Sequence, residues 1–191
     1  MNGLQDWLMS MSGASAVLLG LVLGAMMGFD LGGPVNKAAY LFATAGLASG
    51  ELANQQIMAA VIISGMVPPL AMALATTVRP RLFSQPEREN GKAAWLLGAS
   101  FISEGAIPFA TADPLRVIPS SVIGAAVAGA ISMGAGVASP APHGGIWVIA
   151  LMENWPMFLV AVLACTAVTA VIYIVLKMMT SKKEESAKAV A

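Results

Sequence analysis

The sequence predicts an all-α fold: a polytopic helical membrane protein in which some helices are broken or re-entrant. Of its 191 residues, 58% are apolar and only 10% are charged, whereas a soluble domain carries about 25% charged residues. Long apolar runs approach the roughly 20 residues that a helix needs to cross a bilayer. Polar residues, glycines and prolines interrupt these runs at three places, so irregular backbone is expected at membrane depth.

Four apolar segments are predicted to cross the membrane as helices. They cover residues 14–29, 57–78, 117–137 and 157–176. Three stretches between them are too short or too polar to cross comfortably, namely 38–50, 93–109 and 146–152. Their composition leaves open whether 38–50 and 93–109 cross the membrane or re-enter it.

Lysines and arginines predict the orientation. Four of them lie in the loop 79–92 and four more in the segment 177–188. Segments rich in lysine and arginine stay on the cytoplasmic side, so both are predicted to face the cytoplasm, with the chain crossing the membrane several times. An even number of crossings must then separate them. Two full spans and a re-entrant 93–109 satisfy this, and three or four partial crossings are an alternative.

Charge and cysteine content exclude several functions. The formal net charge is zero, and without a basic patch nucleic acid is not expected as a partner. Cys165 is the single cysteine, so no disulfide can form within the chain. His143 is the single histidine, and with no second histidine or cysteine to join it, neither a metal site nor a cofactor is expected.

Three glycines form a stripe in the first apolar segment. Gly20, Gly24 and Gly28 follow each other at four-residue spacing, which places them on one face of a helix. Small residues at this spacing let a second helix approach closely in a membrane. The stripe therefore predicts a helix–helix contact.

The first polar break follows that segment and contains Asp30, Gly32, Gly33, Asn36 and Lys37. Glycine and proline release backbone groups from helical bonding, and the asparagine offers both donors and an acceptor. A charged residue at the middle of a membrane helix costs roughly 2.5–3.5 kcal/mol, so such residues usually have a partner or a function. An ordinary loop that caps two helices is the alternative interpretation.

The second polar break surrounds Glu104, which is followed by Gly105 and Pro108. A carboxylate at a helix break inside the membrane can accept hydrogen bonds from sugar hydroxyls, or take a proton from one. Asp113 and Arg116 stand three residues apart at the start of the next apolar segment. Their spacing is typical of a structural pair at a helix N-terminus.

The third polar break covers residues 139–145 and contains His143. A single histidine is often a structural residue with satisfied hydrogen bonds, and that interpretation stays open. Three polar breaks in one apolar chain are typical of discontinuous helices that build a substrate site near the middle of the membrane.

Four strings resemble one known family, and they occur in that family's order. They are FDLGGPVNKAAY (29–40), GMVPPLAMALAT (65–76), FISEGAIPFATADPLRVIPS (101–120) and APHGG (141–145). Together they resemble the fructose-family enzyme IIC domain of the bacterial phosphoenolpyruvate-dependent sugar phosphotransferase system. The resemblance implies a dimeric, multi-pass permease of the bacterial inner membrane that binds a sugar and moves it inward. A phosphocysteine on a separate IIB domain then phosphorylates that sugar.

The resemblance also implies a set of substrate-binding residues. They are Asn36, Lys37, Glu104, Asp113, Arg116 and His143. Glu104 would be the catalytic residue, in contact with the hydroxyl that accepts the phosphoryl group, and His143 would lie near the same pocket. The asparagine and the lysine would form a polar wall, and the pair at 113 and 116 would support the hairpin.

A complete fructose-type IIC is longer and has further membrane helices before the stretch that matches residues 14–29. Residues 1–180 are therefore expected to be the C-terminal part of a IIC membrane domain, and residues 181–191 a charged cytoplasmic tail. The expected partners are a sugar, with fructose as the family default, phosphorylated IIB, a second copy of the chain, an N-terminal IIC half and membrane lipid.

Two alternatives to a permease subunit are open. The first is a truncated, non-transporting remnant or half-subunit that needs an N-terminal partner. The second alternative is a proton-coupled secondary transporter, in which Glu104, Asp113 and His143 relay protons.

Overall fold

The computed structural model describes residues 16–190, with side chains through residue 179, and it is helical along most of this length. The α-helices are α1 (Ala16–Phe29), α2 (Pro34–Leu47), α3 (Leu52–Val78), α4 (Gln85–Ala99), α5 (Ile107–Ala112), α6 (Pro114–Gly134) and α7 (Trp155–Val190). Short 3₁₀-helices cover Pro80–Leu82, Ser103–Ala106 and Gly145–Leu151. The predicted all-α fold with broken helices is confirmed.

Helix α3 is the centre of the fold. It is apolar on all sides, and 94% of its most apolar 18-residue window is buried inside the molecule, as expected for a helix with no polar face. The helices α1, α2, α4, α6 and α7 all pack against it. The helix continues through Pro68 and Pro69.

Three described helices are long and apolar enough to cross a membrane: α3, α6 and the part of α7 up to Met179. The first predicted span, 14–29, is helical over its described part, the 14-residue apolar helix α1, and its first two residues lie outside the described residues. The chain reverses direction at Leu31 and Gly32, whose φ angles are 50° and 108°.

The glycine stripe of α1 packs against small residues of α6, as predicted. The facing pairs are Gly20 with Gly129, Gly24 with Ala125, and Gly28 with Ser121. A Cβ atom on Gly24 would lie 2.8 Å from the carbonyl carbon of Ala125, so a larger residue would push the helices apart. The pairing is antiparallel, and α1 therefore ends about a third of the way along α6.

Helices α4 and α5 form a re-entrant hairpin. Helix α4 runs back along α3, with Gly91 against Thr76 and Gly98 against Leu70. The chain then turns and returns through α5 to the end of the molecule where it started, because Phe109 shares a buried cluster with Phe83 and with residues of α3 and α7. Segment 93–109 therefore enters the helical bundle and returns to the same end of the molecule.

The loop between α6 and α7 enters from the opposite end. Its base is closed by an antiparallel bridge between Ala138 and Glu153 and by the Ser139 amide, which donates to the Gln55 carbonyl at 3.0 Å. Its inner part packs on the tip of the α4–α5 hairpin, where Trp147 Nε1 donates to Ser100 Oγ at 2.9 Å. Segment 146–152, predicted not to cross, is a 3₁₀-helix in this loop.

The two lysine- and arginine-rich segments lie at the same end of the molecule. Lys177 Nζ of α7 is 2.6 Å from Glu87 Oε1 of α4, and it also lies 4.4 Å from the centre of the Phe83 ring. Between these segments stand one re-entrant hairpin and two helices long enough to cross, which is the arrangement predicted from the charges. Helix α7 continues to Val190, so the predicted tail 181–191 is helical over its described part.

Candidate functional site

The polar breaks meet at the level of Gly65, the central residue of the 27-residue helix α3. A Cβ atom on this glycine would lie 2.8 Å from Met27 Cε, next to the first break, and 2.8 Å from Ser103 Oγ, in the second. The third break reaches the same place, because Gly145 packs against the backbone of Ala99 and Phe101. Segments that are far apart in sequence thus converge at half the length of the central helix.

A cavity of about 210 Å³ lies where the breaks meet. Its walls are Met27, Asn36, Lys37, Tyr40, Phe101, Ser103, Glu104 and His143. Four of the six residues predicted to bind substrate are in this set. Each of the three breaks supplies at least one of them, as expected for a site built from discontinuous helices.

The start of α2 is held by Asp30. Its carboxylate accepts hydrogen bonds from the backbone N–H groups of Val35 at 2.7 Å and Asn36 at 2.9 Å. These groups have no partner within the helix, and Gly33 at the N-cap has no side chain to offer. Asp30 therefore caps the helix, as the alternative interpretation of this break proposed, and it does not line the cavity.

The next two residues of α2 face the cavity. Asn36 is 6% exposed, and its Nδ2 donates to the Met27 carbonyl at 2.9 Å. This bond fixes the amide and leaves its Oδ1 as an acceptor. Lys37 is exposed, and its ammonium forms no ion pair among residues 16–179. The break thus presents one acceptor and one cation to the cavity.

The tip of the α4–α5 hairpin carries Glu104. Phe101 adopts a φ of 63°, a left-handed conformation that is uncommon for a bulky residue and concentrates at functional sites. Ser103 Oγ donates to the Gly65 carbonyl at 3.0 Å. The Glu104 carboxylate has no hydrogen-bond or ion-pair partner within the described side chains, and it is exposed to the cavity.

His143 belongs to an aromatic wall. Its ring centre lies 5.0 Å from that of Phe101 and 6.4 Å from that of Tyr40. It is exposed, and its side chain has no hydrogen bond within residues 16–179. Gly144 and Gly145, with φ angles of 124° and 58°, allow the sharp turn that brings the ring inward.

Asp113 and Arg116 do not line the cavity. Arg116 Nη1 lies 2.6 Å from Asp113 Oδ2, and both residues stand at the N-terminal end of α6. The aspartate is 8% exposed. The structure thus places these two predicted site residues apart from the other four, as an ion pair at the foot of the re-entrant hairpin.

Sequence reasoning did not name four residues of the cavity wall: Met27, Tyr40, Phe101 and Ser103. A signal existed for two of them. Tyr40 stands three residues after Lys37 on α2, which places the two side chains on one face of the helix. Ser103 directly precedes Glu104, but its role depends on a carbonyl 38 residues away.

Comparison with known proteins finds relatives along nearly the whole chain. It is 51% identical over 176 residues to the PTS system fructose-specific EIIC component of Haloferax volcanii, a match that covers 92% of this chain and 46% of that protein. It is 51% identical over 180 residues to the PTS system fructose-specific EIIB'BC component of Escherichia coli, covering 93% and 31%. It is 45% identical over 183 residues to the fructose permease IIC component of Bacillus amyloliquefaciens, covering 96% and 59%.

No protein-family model matches the chain, and no solved structure matches it significantly. Apolar helices of spanning length, with broken helices and a polar cavity between them, define the class of a helical membrane protein of the transporter type. The relatives specify the class further: the chain belongs to the fructose family of IIC domains of the phosphotransferase system. It spans less than two thirds of the length of these relatives.

Proposed function

We propose that this chain forms the sugar-binding part of a fructose-type permease in the bacterial inner membrane, where it moves the sugar inward while a phosphorylated IIB domain phosphorylates it. The observation that carries the proposal is the Glu104 carboxylate, which has no partner within the described side chains and lies at a re-entrant hairpin tip that faces Asn36, Lys37 and His143 across one cavity. This carboxylate is exposed to the cavity, so its oxygens are open to hydrogen bonds from a ligand. Hydroxyl donors of a sugar would supply the missing hydrogen bonds.

The cavity suits a small hydroxylated ligand. Its volume of about 210 Å³ is below the 300–1,000 Å³ of drug-sized ligand sites. The carboxylate and the Asn36 amide oxygen accept hydrogen bonds from hydroxyls, and Lys37 donates them. The rings of Tyr40, Phe101 and His143, which are tilted against each other, would provide apolar contacts for the C–H face of a sugar ring. Fructose is the sugar that the relatives' names support.

Glu104 is proposed as the general base of phosphoryl transfer. The sugar hydroxyl that it contacts would attack the phosphorus of the phosphocysteine, and the hydroxyl proton would pass to the carboxylate. The new O–P bond forms as the S–P bond breaks, and the thiolate of IIB leaves. The Lys37 ammonium would offset the negative charge of the phosphoryl oxygens, since positioned cations stabilise such transition states.

The names of the relatives support an EIIB domain as a partner. The Escherichia coli protein is named as an EIIB'BC component and the Bacillus subtilis protein as an EIIABC component, so fusion to EIIB accompanies the matching segment in both. We propose that residues 1–180 act as the C-terminal part of the IIC domain, with an N-terminal half and a second copy of the chain completing it. The charged segment 181–191 would then lie in the cytoplasm. A half-subunit or remnant that cannot transport alone is the alternative.

The test is phosphorylation of labelled fructose by membranes that contain the chain and phosphorylated IIB, with and without an N-terminal IIC half. Glu104→Gln should abolish phosphorylation while membrane insertion stays intact. The matched control is Glu89→Gln, because Glu89 is a carboxylate on the exposed face of α4 and its loss should change nothing. Normal phosphorylation by the Glu104 variant would remove this residue from the mechanism. Uptake that needs a proton gradient but no phosphoenolpyruvate would favour the proton-coupled alternative.

A further inference from the structure

The consecutive prolines of α3 release two backbone carbonyls. A proline has no N–H, so it cannot donate to the carbonyl four residues earlier. Pro68 therefore leaves the Ser64 carbonyl without its helical partner, and Pro69 does the same for Gly65. Both carbonyls lie in the most buried part of the central helix, where an unpaired polar group is unfavourable.

The hydroxyl of Ser103 satisfies the Gly65 carbonyl. Its Oγ donates to that oxygen at 3.0 Å, and the serine is only 4% exposed. The close approach depends on the glycine, because a Cβ atom there would lie 2.8 Å from Ser103 Oγ. Pro69, Gly65 and Ser103 thus form one unit: the proline frees the carbonyl, the glycine gives access to it and the serine binds it.

This bond connects the hairpin tip to the central helix. Ser103 and Glu104 begin the 3₁₀-helix Ser103–Ala106, so the serine faces α3 while its neighbour faces the cavity. The tip has no other side-chain hydrogen bond to α3 within the described residues. Packing alone would let the tip slide along the apolar helix α3. A hydrogen bond to one carbonyl fixes the position of the tip along the helix axis.

We infer that Ser103 is a positioning residue, which sets the level of the Glu104 carboxylate by binding the carbonyl that Pro69 releases. The inference rests on the proposed function of this cavity and adds a residue that determines its geometry. A merely structural serine would behave like Ser120, which is fully buried and donates to the carbonyls of Arg116 and Val117 in its own helix. Ser103 instead bonds to a different element, 38 residues away.

The experiment distinguishes a role of Ser103 in positioning Glu104 from a role limited to the hydrogen bond with the Gly65 carbonyl. Ser103→Ala should lower fructose phosphorylation per folded protein by about tenfold or more, since small displacements of catalytic groups have effects of this size. It should also lower the melting temperature, because the Gly65 carbonyl loses its donor. Adding Pro69→Ala supplies an N–H to that carbonyl within the helix. In the Pro69→Ala background, Ser103→Ala should therefore no longer lower the melting temperature. Phosphorylation by the double variant should stay as low as in Ser103→Ala alone.

Two matched controls accompany these variants. In the Pro68→Ala background, the new N–H bonds to the carbonyl of Ser64 and not to that of Gly65. Ser103→Ala should therefore still lower the melting temperature there. Ser120→Ala removes a buried hydroxyl that bonds only within its own helix, so this variant should keep normal phosphorylation. Recovery of phosphorylation together with melting temperature in the Pro69 double variant would overturn the inference, as would full activity of Ser103→Ala.

The outcomes also distinguish this inference from the proposed function. A wild-type chain that phosphorylates fructose, and loses that activity in Glu104→Gln, upholds the proposed function whatever Ser103 does. Equal activity of Ser103→Ala in that same preparation overturns only the positioning role. A wild type that neither binds nor phosphorylates sugar with all partners present overturns both.

Discussion

The Glu104 side chain lies directly against the backbone of Gly32. A Cβ atom at position 32 would come within 2.8 Å of the Cγ, Cδ and Oε1 atoms of the glutamate. The two residues belong to different polar breaks, 72 positions apart in sequence. The glycine of the first break therefore shapes the space that the carboxylate of the second break occupies.

Gly32→Ala is predicted to displace the Glu104 carboxylate and to lower fructose binding by about tenfold or more. Binding of labelled fructose to the purified chain, with its partner half present, measures the effect. Gly50→Ala is the matched control, because Gly50 also has a positive φ, 72°, but nothing lies within 4 Å of its added Cβ. Similar binding losses in the two variants would trace the effect to backbone strain and not to the glutamate.

Asp30→Ala is predicted to lower the free energy of unfolding by about 1–2 kcal/mol, the usual effect of removing a helix cap. Two N–H groups at the start of α2 would lose their acceptor. Fructose affinity should fall as well, because Asn36 is one of the two residues held. Thermal unfolding in detergent measures the first effect. Glu51→Ala is the control, since Glu51 stands at the N-cap of α3 without a side-chain capping bond, and an equal loss there would refute the explanation.

The ion pair between Glu87 and Lys177 predicts a dependence of stability on pH. Burial alone raises the pKa of Glu87, but hydrogen bonds from Lys177 and Ser84 and the lysine charge outweigh it, so the pKa lies below its ordinary value of 4.5. A carboxyl group with a lowered pKa in the folded state stabilises the protein above its ordinary pKa. That contribution is lost as the pH falls through the folded-state pKa.

Glu87→Gln should therefore lower the melting temperature at pH 7, and the difference from the wild type should shrink as the pH falls below about 4.5. Melting curves between pH 3 and pH 7 provide the measurement. Glu89→Gln is the control, because its pair with Lys92 is exposed and such pairs contribute little. A difference that stays constant down to pH 3 would contradict the lowered pKa.

Gly24→Val is predicted to separate α1 from α6, because even one added carbon at position 24 would meet the Ala125 backbone at 2.8 Å. Overpacking of this kind costs about 1–3 kcal/mol. Thermal unfolding of the detergent-solubilised chain measures the loss. Gly134→Val serves as the control, since the nearest atom to an added Cβ there is 3.4 Å away. Wild-type stability of the Gly24 variant would disprove the close contact.

Local chemistry made much of this fold predictable. Apolar length located α3, α6 and α7, and four-residue spacing located the glycine contact of α1. The pairing of Asp113 with Arg116 also follows from their separation of three residues on a helix. Each of these features depends on residues that are close together in sequence, or on the composition of one segment.

The assembly of the cavity depends on long-range packing, which spacing does not reveal. Nothing in the sequence around Ser103 indicates that its partner is the Gly65 carbonyl, because the bond requires both the proline that frees the oxygen and the hairpin that reaches it. The turn at Leu31 and Gly32, where both φ angles are positive, is likewise what brings the first break to the cavity.

The position of Gly65 at the centre of α3 has a consequence for the chemistry. At 1.5 Å per residue, the cavity lies about 20 Å from either end of this helix. The side chain of a phosphocysteine would be too short to cover that distance from a IIB domain that stays outside the membrane. Sugar phosphorylation by the proposed route therefore requires the hairpin tip, with its bound sugar, to move toward the cytoplasmic surface. Phosphoryl transfer would then take place only after the sugar has been carried inward.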